Sequence, residues 1–234
     1  TTLFRSRYDG TRWTLQAAPT GLGLDAVFSI GANRVLTSGG FYSPFKTPTL
    51  ARYDGAQWIP ERILRPVQKT LRTLWSPGPG QLIAAGDENT LLTFNGKEWT
   101  HLLPVNGGAF ATEIYQIQGA DANTMLGAGA PGIVLTFPSF SGVRQIVLGS
   151  TTTALPLYGS WSAPSAGFLV GAAGTFFDRK RSNMPLSLGT TQDLRSVWAP
   201  PPTLADPLVK DLWISGAAGT LSGTLIGTAP CGPC

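Results

Sequence analysis

Hydrophobic residues along the chain gather in short runs, and nowhere over a useful length do they take the i, i+3, i+4, i+7 spacing of an amphipathic helix. The pattern therefore predicts strands and essentially no helix. The runs recur in a fixed order. One type ends in glycine: Val35-Leu36-Thr37-Ser38-Gly39, Leu82-Ile83-Ala84-Ala85-Gly86, Met125-Leu126-Gly127-Ala128-Gly129, Phe168-Leu169-Val170-Gly171 and Leu212-Trp213-Ile214-Ser215-Gly216, with glycine intervals of 47, 43, 42 and 45 residues. Before each lies an apolar stretch with an aromatic: Ala26-Val27-Phe28, Thr73-Leu74-Trp75, Glu113-Ile114-Tyr115, Gly159-Ser160-Trp161 and Ser196-Val197-Trp198.

A third signal is an aromatic, then Asp-Gly or Asn-Gly, then two residues and a tryptophan. It reads Tyr8-Asp9-Gly10-Thr11-Arg12-Trp13, Tyr53-Asp54-Gly55-Ala56-Gln57-Trp58 and Phe94-Asn95-Gly96-Lys97-Glu98-Trp99. Asp-Gly and Asn-Gly accept the positive φ angles of a two-residue type I′ turn, so each copy predicts a hairpin with its aromatics on paired strands. Later copies fade to Ser141-Gly142 without the tryptophan, and to a polar turn at 178–181.

Each unit thus reads as strand A with the aromatic, strand B ending in glycine, strand C, the turn, and strand D. Tandem four-stranded units of this period predict an all-β propeller. Its blades span about 24–64, 71–105, 113–150, 155–189 and 194–230, in one domain over 1–230 followed by a cysteine-containing tail at 231–234. Residues 1–18 look like the second half of another unit, Thr2-Leu3 taking the place of Gly174-Thr175 or Gly219-Thr220. Closure of a ring by the N-terminal strand would remove free sheet edges, with Arg12 to Gln16 as the outer strand beside 194–230. That arrangement gives five blades. The alternatives are six, with the half-unit standing apart, or an arc of a larger ring. The strand-B glycines Gly86, Gly171 and Gly216 are expected to tolerate turn geometry closed to other residues.

The order of aromatic strand, WISGAAGTL-type glycine turn (213–221) and YDGTRW-type hairpin (8–13) resembles the degenerate propeller repeats of secreted bacterial proteins, relatives of the Asp-box and photosystem-assembly-factor propellers. The resemblance covers nearly the whole chain and implies architecture and an extracytoplasmic setting rather than an activity. Asp boxes carry Ser-x-Asp-x-Gly-x-Thr-Trp, whereas Asp9 and Gly10 are adjacent here.

Composition narrows the chemistry. Of 234 residues, 13% are charged and 42% hydrophobic, with a net charge of +4. The longest stretch free of charge and strong polarity, Gly167 to Phe177, falls short of the ~20 residues that span a bilayer. Residues 1–20 carry Arg5, Arg7, Asp9 and Arg12, which is not the make-up of a signal peptide. The lone His101 argues against multi-histidine metal centres; neither metal nor cofactor is expected. A modest positive charge without aromatic interleaving argues against nucleic acid.

Candidate sites lie where the repeat is interrupted. The first unit inserts Gly40 to Pro48 between strands B and C, placing Phe41, Tyr42, Phe45 and Lys46 in one loop. An aromatic platform with a polar rim suits a sugar ring or a partner side chain; alternatively, Phe41 and Phe45 fold back over the next blade. On the same face Asp87-Glu88-Asn89 offers oxygens to a cation or a sugar hydroxyl. Three adjacent oxygens fall short of the six to eight of a calcium site, which favours a solvated turn. Asp178-Arg179-Lys180-Arg181 is a basic tip suited to phosphate or an acidic glycan, and Pro200 to Lys210 lengthens a connection on the opposite face. Trp13, Trp58 and Trp99 are expected between sheets as packing residues, and Trp75, Trp161 and Trp198 in the core. Cys231-Gly232-Pro233-Cys234 copies the thioredoxin tetrapeptide without the following helix that would lower a thiolate pKa. A local Cys231–Cys234 disulfide, or the start of a cysteine-rich tail, fits better.

These features point first to a noncatalytic extracellular module, secreted, periplasmic or on the cell surface, that recognises protein or glycan through propeller-face loops. A second reading is a structural subunit of a larger extracellular assembly. A third is a propeller glycosidase or lyase, which needs paired acids; the 13 carboxylates are scattered singly, and Arg5, Arg34, Arg72 and Arg195 show no spacing that marks a sialidase-like triad.

Overall fold

The computed structural model describes residues 4–17, 23–31, 34–40, 48–64, 69–78, 80–88, 90–101, 113–121, 124–136, 147–150, 153–164, 166–179, 184–200, 211–217 and 219–224. Two compact units divide the chain, Thr1–Leu103 and Pro104–Cys234. In the first, β1 (Phe4–Tyr8) and β2 (Trp13–Ala17) form a hairpin. Two antiparallel meanders follow: β3 (Gly23–Gly31), β4 (Arg34–Gly40), β5 (Pro48–Tyr53) and β6 (Trp58–Pro60), then β7 (Leu71–Gly78), β8 (Gln81–Gly86), β9 (Leu91–Phe94) and β10 (Trp99–His101).

The second unit repeats the meander with β11 (Glu113–Gln118), β12 (Leu126–Ala130), β13 (Ile133–Thr136) and β14 (Val147–Ser150). Next come β15 (Leu157–Ala163), β16 (Ala166–Gly171) and β17 (Phe176–Asp178), with Leu186 bridging to Phe176 at the fourth position. The last sheet is β18 (Leu194–Trp198), β19 (Asp211–Gly216) and β20 (Gly219–Thr224). The sole helical element among the described residues is a single 3-10 turn, Ala172–Gly174. After the two-stranded β1–β2 sheet, the described strands thus form antiparallel sheets in chain order, each built from consecutive strands. Pairing of Gly40 with Pro48 trims the first inserted loop to 41–47.

The hairpins form where Asp-Gly and Asn-Gly predict them, but not as type I′ turns. Positive φ occurs at Gly10 (101°), Gly55 (105°) and Gly96 (95°), and not at the Asp or Asn before each. The Asx side chain instead caps the turn: Asp9 Oδ1 accepts from the Thr11 and Arg12 amides at 2.9 and 3.0 Å, as Asp54 does from Ala56 and Gln57 and Asn95 from Lys97 and Glu98. These bonds favour the ionised form. Asp9, which also accepts from the Thr11 hydroxyl, is lowered to about 2, and Asp54 is lowered chiefly by the Gln57 amide. The aromatics flanking each turn pair across the strands with ring centroids 5.3 Å apart.

The strand-B glycines serve close approach rather than turning. A Cβ on Gly39, Gly86, Gly129, Gly171 or Gly216 would lie 1.9–2.3 Å from a backbone oxygen at the start of strand A, and none of the five has positive φ. In three sheets that same oxygen accepts the next amide: Asp87 N–H to Thr70 O at 3.0 Å, Ala172 N–H to Pro156 O at 2.9 Å and Ala217 N–H to Asp193 O at 2.9 Å.

Sheet faces pack on sheet faces. In the first unit Ala26, Phe28, Leu36 and Leu50 meet Leu71, Leu74, Leu82, Leu92 and Trp99. Trp99 is wholly buried, and its Nε1 donates to Glu61 Oε2 at 3.3 Å while Arg52 Nε donates to the other carboxylate oxygen. In the second unit Trp161, Phe168, Val170 and Phe176 pack on Leu194, Val197, Leu212 and Ile214. Polar staples join β15 to β11 and β12: the Ser160 amide donates to Gln116 Oε1 at 2.8 Å, and the Ser160 hydroxyl to Leu126 O at 3.1 Å.

The tryptophans divide by environment. Trp75, Trp99 and Trp161 are core and Trp58 is half-buried, but Trp13 is 70% and Trp198 50% exposed, against the packing role expected of them. Trp13 lies on a two-stranded sheet and Trp198 on the face of β18 turned away from Trp161, so neither gains the second wall that encloses its counterparts.

Candidate functional site

Strand A of every sheet carries a β-bulge at one place. Its first apolar residue pairs with the strand-B glycine or its equivalent, one residue is skipped, and pairing resumes: Leu24/Gly39 to Ala26/Ser38, Leu71/Gly86 to Thr73/Ala85, Ile114/Gly129 to Gln116/Ala128, Leu157/Gly171 to Gly159/Val170, and Leu194/Gly216 to Ser196/Ser215. The skipped residues are Asp25, Arg72, Tyr115, Tyr158 and Arg195. A bulge turns a side chain out of the ladder's alternation, and bulges concentrate where proteins aim residues at ligands. The glycine column makes this one possible, since a Cβ there would collide with the carbonyl that precedes the bulge.

In the second unit the bulged side chains stack. Tyr115 and Tyr158 lie with ring centroids 5.6 Å apart, tilted by 50°, and the Arg195 guanidinium sits over the Tyr158 ring, 4.5 Å from its centroid. Asp193 holds the cation in place, its Oδ2 accepting from Arg195 Nη2 at 3.0 Å while its Oδ1 accepts the Ala173 amide at 3.2 Å. The Tyr115 hydroxyl donates to the Glu113 carboxylate. The result is an ordered Tyr-Tyr-Arg ladder. Its rings are half-buried and its guanidinium is exposed and oriented, the mixed chemistry of an interaction hot spot.

In the first unit the same blade end is a clamp. Arg72 is paired with Asp87, which is buried rather than solvated. Glu88, with φ 51°, pairs with Lys69. The turn after β8 matches that after β16, where Ala173 has φ 52° and Thr175 N–H returns to Ala172 O as Thr90 N–H does to Asp87 O. Asp87 and Glu88 are therefore held by protein partners.

Phe41, Tyr42, Phe45, Lys46 and Asn89 lie outside the described residues, as do Lys180, Arg181, the loop at 201–210 and both Cys231 and Cys234. Loop 41–47 joins β4 to β5 at the blade end that bears the Asp25 bulge. Asp178 is buried and the Arg179 amide is tied to Gly167 O. Among the described residues no cluster of three metal-ligating side chains exists, and no helix is long and apolar enough to cross a membrane. The bulge residues were not anticipated. Spacing from the strand-B glycines does not mark them as a column: they precede Gly39, Gly86 and Gly129 by 14 residues, Gly171 by 13 and Gly216 by 21.

Successive antiparallel meanders packed face to face define a β-propeller fold, and solved structures share it. The YCF48 protein from Cyanidioschyzon merolae superposes with a TM-score of 0.61 at 13% identity over 95% of this chain and 76% of its own; YCF48 bound to a D1 peptide gives 0.57 and 14% over 93% and 82%. The WD40 propeller domain of Doa1 gives 0.60 and 10% over 88% and 67%. The computationally designed Ika8 protein gives 0.61 and 13% over 86%, and the chain spans 58% of its length. No protein-family description and no curated protein matches the sequence.

Proposed function

We propose that the chain is a noncatalytic binding propeller that takes a protein segment at the blade end where strand A begins, with Tyr115, Tyr158 and Arg195 as its anchor. The observation that carries this reading is the repeated bulge, which places three stacking residues in succession and leaves an aromatic-supported guanidinium open to a partner's carbonyl or carboxylate groups. Arginine and tyrosine held in this way are the residue types that dominate protein interfaces. Similarity in fold to YCF48, whose structure with a D1 peptide shows a propeller engaging a protein segment, supports a peptide as the ligand class. The loop with Phe41, Tyr42, Phe45 and Lys46 would extend the equivalent blade end of the first unit.

Binding to a tiled peptide array, with a glycan array in parallel, tests the reading. Tyr158→Ala and Arg195→Ala should each weaken peptide capture about tenfold or more, as hot-spot truncations do. Capture unaffected by either, or on glycans alone, overturns it. Tyr42→Ala and Phe45→Ala report whether the inserted loop takes part. An extracytoplasmic setting remains part of the proposal. It is supported by the resemblance to secreted repeats, and titration of Cys231 and Cys234 in protein from its native source tests it.

A further inference from the structure

The residue after each bulge resumes the ladder, and the five positions hold Ala26, Thr73, Gln116, Gly159 and Ser196. Only β15 has glycine there. Within the second unit, Gln116 and Gly159 stand between one strand A and the next. Gln116 reaches from β11 to β15, where its Oε1 accepts the Ser160 amide at 2.8 Å. Gly159 is buried and puts no side chain between β15 and β18, so their backbones close up. A Cβ on it would lie 3.0 Å from Arg195 O, 3.1 Å from Ser196 Cα and 2.8 Å from Val170 Cγ2. Its φ is not positive, so close approach rather than turning is what the glycine supplies.

The stacking distance follows the spacer. Across Gln116, the bulged Tyr115 and Tyr158 meet with ring centroids 5.6 Å apart. Across Gly159, the Arg195 guanidinium comes to 4.5 Å from the Tyr158 centroid. Cation–π attraction reaches to about 6 Å, so a retreat of β18 by about 1.5 Å would exhaust it. A methyl group at 159 forces less: bringing its Cβ from 3.0 Å to an ordinary C···O contact of ~3.3 Å moves β18 by about 0.3 Å. A glutamine there adds a whole side chain between two backbones that now touch, and sets them apart as β11 and β15 are. Asp193 directly precedes β18 and would move with it, so its pair with Arg195 survives and the loss falls on the stack.

We infer that the residue after the bulge is the spacer that sets how far apart neighbouring bulged side chains stand, and that Gly159 is the positioning residue of the Tyr158–Arg195 stack. Its bearing on recognition rests on the reading of that stack as the anchor for a protein segment; its bearing on geometry does not. The spacer lies beneath the ladder and is buried, so exchanging it retunes the stack while leaving Tyr115, Tyr158 and Arg195 themselves unchanged.

NMR of the full chain tests the inference through the ring-current shift that Tyr158 imposes on the Arg195 side-chain protons, with folding of every variant checked by circular dichroism. Tyr158→Ala sets the value without the ring. Gly159→Ala should lose part of the shift and Gly159→Gln all of it. Peptide capture should fall in the same order, by about two- to fivefold in Gly159→Gln, the share of a cation–π stack at an exposed site. Adding Val170→Ala to Gly159→Ala separates spacing from crowding: it relieves the methyl contact and leaves the two backbone contacts, so the partial loss should persist. A shift unchanged in Gly159→Gln, or restored by Val170→Ala, overturns the inference. Should Gly159→Gln not fold, an unchanged shift in Gly159→Ala is equally decisive. The anchor reading and the spacing inference fail separately. Wild-type protein that captures no peptide, or Tyr158→Ala protein that captures it undiminished, removes the anchor and leaves the ring-current series to decide the spacing. Capture lost in Tyr158→Ala, with shift and capture both intact in Gly159→Gln, removes the spacing inference alone.

Discussion

Substituting alanine for Gly86 isolates the device on which the bulges depend. An added Cβ would meet Thr70 O at 1.9 Å and both Thr70 C and Leu71 Cα at 2.9 Å. The first distance is about 1.4 Å inside an ordinary C···O contact of ~3.3 Å. All three obstacles are backbone, so no side chain can rotate away; the start of β7 must move off β8. That movement strains the Asp87 N–H to Thr70 O bond, displaces the buried Leu71 and disturbs the Arg72–Asp87 pair. Overpacking costs about 1–3 kcal/mol and a lost hydrogen bond about 1 kcal/mol, so the substitution should cost about 3 kcal/mol. For a chain of this size that lowers Tm by about 6–12 °C. Gly78→Ala is the control: its Cβ meets nothing within 4 Å and its φ is not positive, so its effect should stay within about 0.5 kcal/mol. Thermal and urea denaturation of the two variants side by side decide the matter. If Gly86→Ala melts with Gly78→Ala, the close-approach account of the glycine column is wrong.

Three further outcomes are expected. Trp99→Ala should cost about 3–5 kcal/mol because the ring is fully buried and bonded to Glu61, whereas Trp13→Ala, in the same motif but 70% exposed, should cost less than about 1 kcal/mol in the same urea titration. Ala173→Gly should stabilise by about 1 kcal/mol, since it relieves a left-handed residue at φ 52° on an exposed turn; unchanged or lower stability would argue against strain there. On acidification the first two hairpins should weaken and the third should not. Asp9 and Asp54 have folded pKa values below the unfolded ~3.9, so their contribution is complete above that value and is lost as pH falls through the folded one, about 2 for Asp9. Amide shifts of Arg12 and Gln57 should follow these carboxylates, while that of Lys97, capped by Asn95, should not. An Asp9 midpoint near the unfolded value refutes the capping account.

The repeat was readable because each unit spends its residues alike: an aromatic on strand A, a glycine closing strand B, an Asx-Gly turn. Three things were not readable, each for a physical reason. The turn type hinged on Asp9, Asp54 and Asn95 using their side chains as caps, which moves positive φ onto the glycine alone. The burial of tryptophans hinged on neighbours, so one motif yields a buried Trp99 and an exposed Trp13. The bulge is a relation of register between two strands and leaves no mark on either alone; Tyr115 was visible as an aromatic, but not as a member of the column with Tyr158 and Arg195.

That column and the glycine column are two sides of one constraint. The backbone at the bulge is held by the missing Cβ opposite in all five sheets, and in three of them also by the bond to the preceding carbonyl, rather than by the bulged side chain. The position can therefore carry Asp25, Arg72, Tyr115, Tyr158 or Arg195 without altering the sheet. One end of each strand A is thus free to diversify while its apolar residues stay committed to neighbouring walls. The geometry that makes Gly86 intolerant of a single methyl group is the geometry that leaves Arg195 available for recognition. Substitutions should accordingly separate, the glycines and Arg72, which is paired with the buried Asp87, reporting on stability, and Tyr158 and Arg195, on the proposed reading, on binding.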